Sequence, residues 1–452
     1  MTQAFLDSPI CVSEEPRFVG EPKPLETRPE GMWGAKSSAS WSGTLLFRDQ
    51  STVECLDTAS VLRTYRKPLP GETWLTPLKS ERRLLAQVDA IIGLGERAMT
   101  QVEALAFDPD VPDPNRLFAA AFTLGCIDSA RWMHSVVSIL IRAAERTSAE
   151  LDAVTEALCL SPNRQIGTAL EPLLAHELLA VRVAAVRVMG YRGILPEESW
   201  QSAIASGDAA LIASALKAMP HKFRADTCRS ALLPLFGHDN EHILRLALNA
   251  GLQLRSRAAY ECAIRISDTD PSRADSLRFA ALFGCWADVA RVRSVMAGGE
   301  ALVGIKSAGI LGYIDLIPDL FAILETAPEG SNMALRAGEA IWTISGLPCR
   351  NLSEVAGARQ FWTDHAHEYE RRARYRLGQF LSTNLLQEQL SVGSWSRKDR
   401  QQMYSELMAA THCAVPAFSA FDFVGTQRLA LQSVDRWFSD NPNEHQAIGS
   451  ML

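Results

Sequence analysis

The chain has 452 residues, 47% of them apolar, and a formal net charge of -7. It is longer than a single hydrophobic core comfortably grows, so it is either several domains or one quasi-one-dimensional array. An acidic balance, with a pI near 5.8, gives no electrostatic reason to expect nucleic acid and disfavours a phosphate-tracking role.

In chain order, residues 1 to about 66 are rich in Pro, Ser and Glu, with Pro9, Pro16, Pro22, Pro24 and Pro29 in quick succession. Helical periodicity is absent until roughly Ser80. The pattern predicts an irregular or partner-dependent tail over residues 1–70, with a short extended piece at TLLFRD (44–49). Trp33 and Trp41 sit in this polar setting and are candidate anchors for a protein partner. The start, MTQAFLDSPICVSEEPRFVG, has neither a basic lead nor an apolar run before a small-residue cleavage site, so no secretory signal is expected. A helical lead follows over 71–116.

From Leu117 to about Leu347 one pattern returns: a helix of small and apolar residues closes on a short turn, and a second apolar helix follows. The first helices read RLFAAAFTLG, VRVAAVRVMG, LRLALNAG, LRFAALFG and GIKSAGILG, ending at Gly125, Gly190, Gly251, Gly284 and Gly312. Looser copies end at Cys159 and Pro220, and NMALRAGEAIWTISG closes at Gly346. Closing positions recur roughly every thirty residues, the range of helical repeat arrays. Ala184, Ala247, Ala280 and Ala308 fall mid-helix, where a small side chain admits a close partner, and the glycines after them suit a left-handed helix end. Ile314, Ile317, Leu320, Phe321 and Leu324 give a second helix its apolar stripe. Such hairpins bury their faces only by stacking, which predicts an all-α solenoid of HEAT-like hairpins, about eight of them. The most apolar stretch, Ala301 to Leu324, is interrupted by Lys306, Asp315 and Asp319, so membrane insertion is not expected.

Residues 348–452 change character. A charged helix is predicted over Gln360 to Leu377, then a helical pair at Ser396 to Thr411 and about Thr426 to Phe438, together a C-terminal cap. Arg371, Arg372, Arg374 and Arg376 are read as its solvated face.

Chemistry-bearing signatures are sparse. There is no HExxH, GxSxG, GxxxxGK[ST] or EF-hand loop. Gly93 and Gly95 lack a third glycine and a preceding strand. His365 and His367, two apart on a helix, point to different faces and make a poor metal pair, and His412 beside Cys413 shows no locating third group. Nine cysteines carry no CxxC, which predicts a reducing, cytoplasmic setting; Cys126, Cys159, Cys262 and Cys285 are read as small apolar helix residues. No catalytic residue, metal ligand or cofactor site is predicted. Trp286, Asp288 and Trp342 with Arg255 and Arg257 leave a DNA-glycosylase-like concave surface as a lesser alternative, against which the acidic charge counts.

FAAAFTLGCID, VRVAAVRVMGYRGI, VGIKSAGILGYIDLIPDLFAIL, RAGEAIWTISGL and FWTDHAHEYERRARYRLGQFLSTNLLQEQL together resemble an uncharacterised proteobacterial family of HEAT-repeat proteins associated with type VI secretion effector gene clusters. The likeness covers roughly Trp74 to Leu431, and RYRLGQFLS, Arg374 to Ser382, is its most specific part. The proline-rich start and VPAFSAFDFVGTQRLAL (415–431) depart from that family's pattern. The resemblance implies a cytoplasmic adaptor or chaperone for a secreted effector or its spike-tip carrier. An immunity protein that blocks a toxin is the alternative. Candidate protein-binding residues are Arg187, Arg192, Arg245, Arg255 and Arg257, with Trp33 and Trp41.

Overall fold

A computed structural model describes residues 37–69, 72–107, 112–218, 225–349, 352–392, 395–444 and 447–448. Among them are twenty-two α-helices and one two-stranded hairpin, the all-α solenoid construction that the repeats predict. Two compact units divide the chain between Leu195 and Pro196, inside the repeat array. Phe421–Leu429 belongs to the first unit, and Ala430 onward belongs to the second.

All eight predicted first helices form. In the first unit they are Pro114–Gly125, Ser148–Leu160 and Leu179–Tyr191, each packed on the next. In the second they are Ala209–Lys217, Glu241–Gln253, Ser276–Phe283, Ala301–Leu311 and Asn332–Ser345, again stacked in order. Local chemistry starts them. Asp113 accepts from the backbone N–H of Asn115 and Arg116 at 3.0 and 3.1 Å, with Pro114 at the first helical position. Thr147, Asp208, Asn240 and Ser331 cap the starts of four other first helices in the same way, satisfying N–H groups that a helix start leaves without partners. Ala184, Ala247, Ala280 and Ala308 are all buried, as close helix crossing requires.

The closing glycines divide into three kinds, which corrects the single role expected of them. Gly312 and Gly346 take the left-handed conformation, with φ of 77° and 74°, and end their helices. Gly125, Gly190 and Gly251 instead lie inside their helices, and Gly284 is extended at φ -72°. Gly251 is small because of contact: an added Cβ would lie 2.7 Å from the Ala259 Cβ and 2.8 Å from the Phe236 ring.

Two further expectations are overturned. The helix Ser37–Thr64, 28 residues long, occupies much of the segment read as irregular, and Thr44–Asp49 is helical rather than extended. Its burial explains why: Thr52, Leu56, Ala59 and Leu62 are spaced by four, three and three residues and are all buried, where the helix packs on Leu78–Gly93 and Pro114–Gly125. Tertiary contact supplies the stability that a polar, weakly periodic sequence lacks alone.

The second correction concerns the charged helix of 360–377. The helix Leu352–His365 stops before the arginines, and Tyr375–Arg376 pairs antiparallel with Gln379–Phe380. Leu377 and Gly378 at the turn have φ of 54° and 78°, the two positive values that a two-residue hairpin turn demands. Arg371 and Arg372 are exposed, but Arg374 and Arg376 are buried. The hairpin closes three consecutive first helices. Arg374 donates to the carbonyls of Ala281, Leu282, Ile310 and Leu311 at 2.9 to 3.2 Å. The backbone N–H of Tyr375 donates to Gly312 O at 2.7 Å, and those of Leu377 and Gly378 donate to Thr343 and Ile344 at 2.7 and 2.9 Å. Helix C-termini leave carbonyls unsatisfied and carry partial negative charge, so a guanidinium with five donors is suited to such a position. Arg376 forms a buried ion pair with Glu406 at 3.0 Å.

Candidate protein-binding surface

Among the described residues of the first unit, the exposed large apolar side chains lie on one helix or just beyond it, Phe421 excepted. Leu46, Phe47 and Val61 of Ser37–Thr64 are 69, 68 and 56% exposed, and Tyr65 and Leu69 just beyond it are 60 and 68% exposed. Val61 follows Leu46 and Phe47 by about four turns, so the three share a side. Val61 and Tyr65 also line an open groove of about 520 Å³, with Asp57, Leu62, Ser80 and Arg83. Apolar surface with a polar rim is the composition of a protein-contact patch. Sequence reasoning missed these residues because it placed them in an irregular tail. The signal was present in the Thr52, Leu56, Ala59, Leu62 spacing, which leaves Leu46, Phe47 and Val61 off the buried stripe.

Trp33 lies outside the described residues. Trp41 falls within the Ser37–Thr64 helix, and its side chain lies outside the description. The five arginines are each engaged within their own unit. In the first unit, Arg187 pairs with Asp152 at 2.6 Å at the surface. Arg192 donates to the carbonyls of Leu158, Ser161 and Asn163, closing the end of Ser148–Leu160. In the second, Arg245 meets His242 at 3.0 Å and Asp275 at 3.7 Å, and Arg255 meets His412 Nε2 at 2.8 Å. Arg257 pairs with Glu261 at 2.8 Å while 88% exposed.

The groups with catalytic potential are likewise tied into packing. Asp288 is buried and accepts from the Tyr260 hydroxyl, from Cys285 N at 2.9 Å and from Arg291 Nη1 at 2.6 Å. Trp286 meets Tyr313 edge-on at 5.4 Å, and Trp342 lies 5.6 Å from Trp395. Cys413 donates to Gln253 O at 3.6 Å, and burial raises its thiol pKa, opposite to the shift that activates a nucleophile. His365 stacks on Phe361 at 4.1 Å. Gly95 precedes the helix Glu96–Leu105 and follows a helix rather than a strand. Among the described residues no cluster of three potential metal ligands occurs.

One cluster in the first unit does concentrate charge. Arg63 and Arg66 both bind Glu156, at 2.7 and 2.6 Å. Arg66 also faces Glu81 at 3.6 Å, with both side chains almost fully enclosed. Burial opposes ionisation of Glu156, but Arg66 and Arg63 outweigh it and hold the carboxyl below its ordinary range. Asp422 completes the group, buried and accepting from the Tyr191 hydroxyl.

No protein-family model and no curated protein matches the chain. Among solved structures, a crystal structure described as an engineered protein matches 79% of this chain and 98% of its own length. It does so at 12% identity and a TM-score of 0.30, a similarity too slight to bear on fold or role. Among the described residues no helix is long and apolar enough to cross a membrane.

Proposed function

We propose that this chain is a non-enzymatic, cytoplasmic protein-binding scaffold whose contact surface is the exposed side of the Ser37–Thr64 helix. The observation that carries the reading is the exposure of Leu46, Phe47 and Val61 on one side of that helix, while its other side is buried. Apolar contact of this kind excludes water from an interface and gives most of its affinity through a few large side chains. The partner is a secreted effector or its spike-tip carrier; this part rests on the resemblance to the type VI secretion-associated repeat family. The net charge of -7 fits a role that does not involve nucleic acid.

Affinity capture with the full chain from its native host, repeated with Phe47→Asp/Val61→Asp, tests this reading. The expected result is recovery of products of the neighbouring secretion genes with the unaltered chain and their loss with the variant. Recovery of the same proteins by both would move the contact elsewhere. Rescue of growth when a neighbouring toxin is produced, with export unaffected by deletion, would replace the adaptor role with immunity.

A further inference from the structure

The segment Phe421–Leu429 is seated on the first unit by a dense set of contacts. Phe423 is buried, its ring 5.5 Å from that of Phe122 and 4.4 Å from the Arg66 guanidinium carbon. The N–H of Val424 donates to Glu81 Oε2 at 2.6 Å, and Arg66 Nη2 donates to Phe421 O at 3.2 Å. Gln427 Nε2 donates to Asp422 O at 2.8 Å within the segment. Asp422 itself is 4% exposed, and the hydrogen bond to its carboxylate comes from a neutral hydroxyl, that of Tyr191.

The charges around Asp422 are committed elsewhere. Arg63 and Arg66, at the end of Ser37–Thr64, bind Glu156 of Ser148–Leu160. Arg66 also faces Glu81 of Leu78–Gly93, and Arg192, just past Leu179–Tyr191, is spent on carbonyl groups. Cys159 is buried nearby, its thiol pushed up to about 12 by burial, so it adds no charge near neutrality. Arg428, on the segment itself, is exposed. An ionised Asp422 would be the third carboxylate beside three guanidiniums that bind Glu156, Glu81 and backbone carbonyls, and burying it with only a neutral hydroxyl as its direct hydrogen-bond donor is costly.

We propose that Asp422 is a proton-sensitive latch: its protonation tightens the seating of Phe421–Leu429 on the first unit, and its ionisation loosens that seating. Burial is the main influence on the carboxyl and pushes it up to about 6. The Tyr191 hydrogen bond, Arg66 and Arg192 pull the other way, and Glu81 adds to the rise. The seated state thus holds the proton more firmly than the released state, whose carboxyl is ordinary. The stabilisation is complete below the ordinary range near 3.8 and is lost as pH climbs through about 6.

Hydrogen–deuterium exchange on the full chain reads the latch directly, with protection of 421–429 corrected for intrinsic exchange rates and 332–345 as an internal reference. Between about pH 7.5 and about pH 5 the opening equilibrium of 421–429 should fall roughly tenfold, while the reference segment stays constant. Asp422→Asn should remove the dependence and remain protected at both values. Equal wild-type protection at both values, or a dependence that persists in Asp422→Asn, overturns the proposal. Tyr191→Phe gives a second reading, independent of how well the first variant folds. Loss of a donor to the ionised form should move the midpoint to higher pH, and a midpoint that stays or falls also overturns the proposal.

Discussion

Arg374 Nε donates to the carbonyl oxygen of Leu311 at 2.9 Å from a side chain only 2% exposed, and the same guanidinium reaches the end of the preceding first helix. Burial lowers its pKa to about 10, so it remains charged at neutral pH while it satisfies those carbonyls. Arg374→Leu should destabilise the second unit by about 3 kcal/mol, because several buried carbonyls lose a charged donor together. Arg374→Lys should restore less than half of the loss, since a single ammonium does not span two helix ends. Urea unfolding followed by tryptophan fluorescence measures both.

Gly378 and Gly330 separate two costs of a side chain at positive φ. Both are left-handed, but an added Cβ at Gly378 would lie 2.8 Å from Ser345 O, whereas none would be met within 4 Å at Gly330. Gly330→Ala should cost about 1 kcal/mol from conformation alone. Gly378→Ala should cost distinctly more, because the turn must retreat from the helix end it closes. Equal shifts in the urea midpoint would show that the close approach contributes nothing.

The arginines read from sequence as one class should behave as two. Arg187→Ala and Arg257→Ala remove surface pairs and should leave the melting temperature within error. Arg192→Ala removes the donor to three carbonyls and should lower stability by about 2 kcal/mol. Loss of binding in Arg192→Ala would then reflect folding, which circular dichroism on the purified variant would reveal.

Phe47→Asp/Val61→Asp should abolish partner capture and leave the melting temperature unchanged, because both residues are already largely exposed. Leu56→Asp, on the buried side of the same helix, should instead unfold the helix and expose new cleavage sites to limited proteolysis.

At alkaline pH five tyrosines should titrate late. Tyr260, Tyr313, Tyr369, Tyr375 and Tyr404 are all raised, with burial the first cause in each; for Tyr260 the hydrogen bond to Asp288 adds to it. A raised phenol stabilises the folded state below its ordinary value near 10.0, and that stabilisation is lost as pH rises further. The phenolate absorbance of these five should therefore appear together with unfolding, and Tyr260→Phe should delay the onset of unfolding.

How legible each part was depended on whether its cause was local. The first helices were plain in the sequence because Ala184, Ala247, Ala280 and Ala308 mark close crossings and lie within the helices they serve. The arginines of RYRLGQF were misread because their partners are remote: Arg374 meets Ala281 and Leu311, and Arg376 meets Glu406. A run of arginines beside glutamates looks like a solvated helix until the helix ends they must close are known. The Ser37–Thr64 helix was hidden for the opposite reason. Its own sequence is polar and weakly periodic, and the packing of Leu56, Ala59 and Leu62 decides its state. The exposed Leu46, Phe47 and Val61 inherited that error, since a surface patch is visible only once the helix that displays it is recognised.

The caps supplied by Arg374 and the adjoining turn lie 63 to 93 residues downstream of the carbonyls that Arg374 serves. A ribosome therefore completes Ser276–Phe283, Ala301–Leu311 and Asn332–Ser345 well before it makes the turn that closes all three. Until Gly378 emerges, the carbonyls at these helix ends are without the donors that Arg374 and the turn supply. A chain cut after Gly346, at the apparent end of the repeats, would hold every repeat helix and still be missing the residues that fasten them.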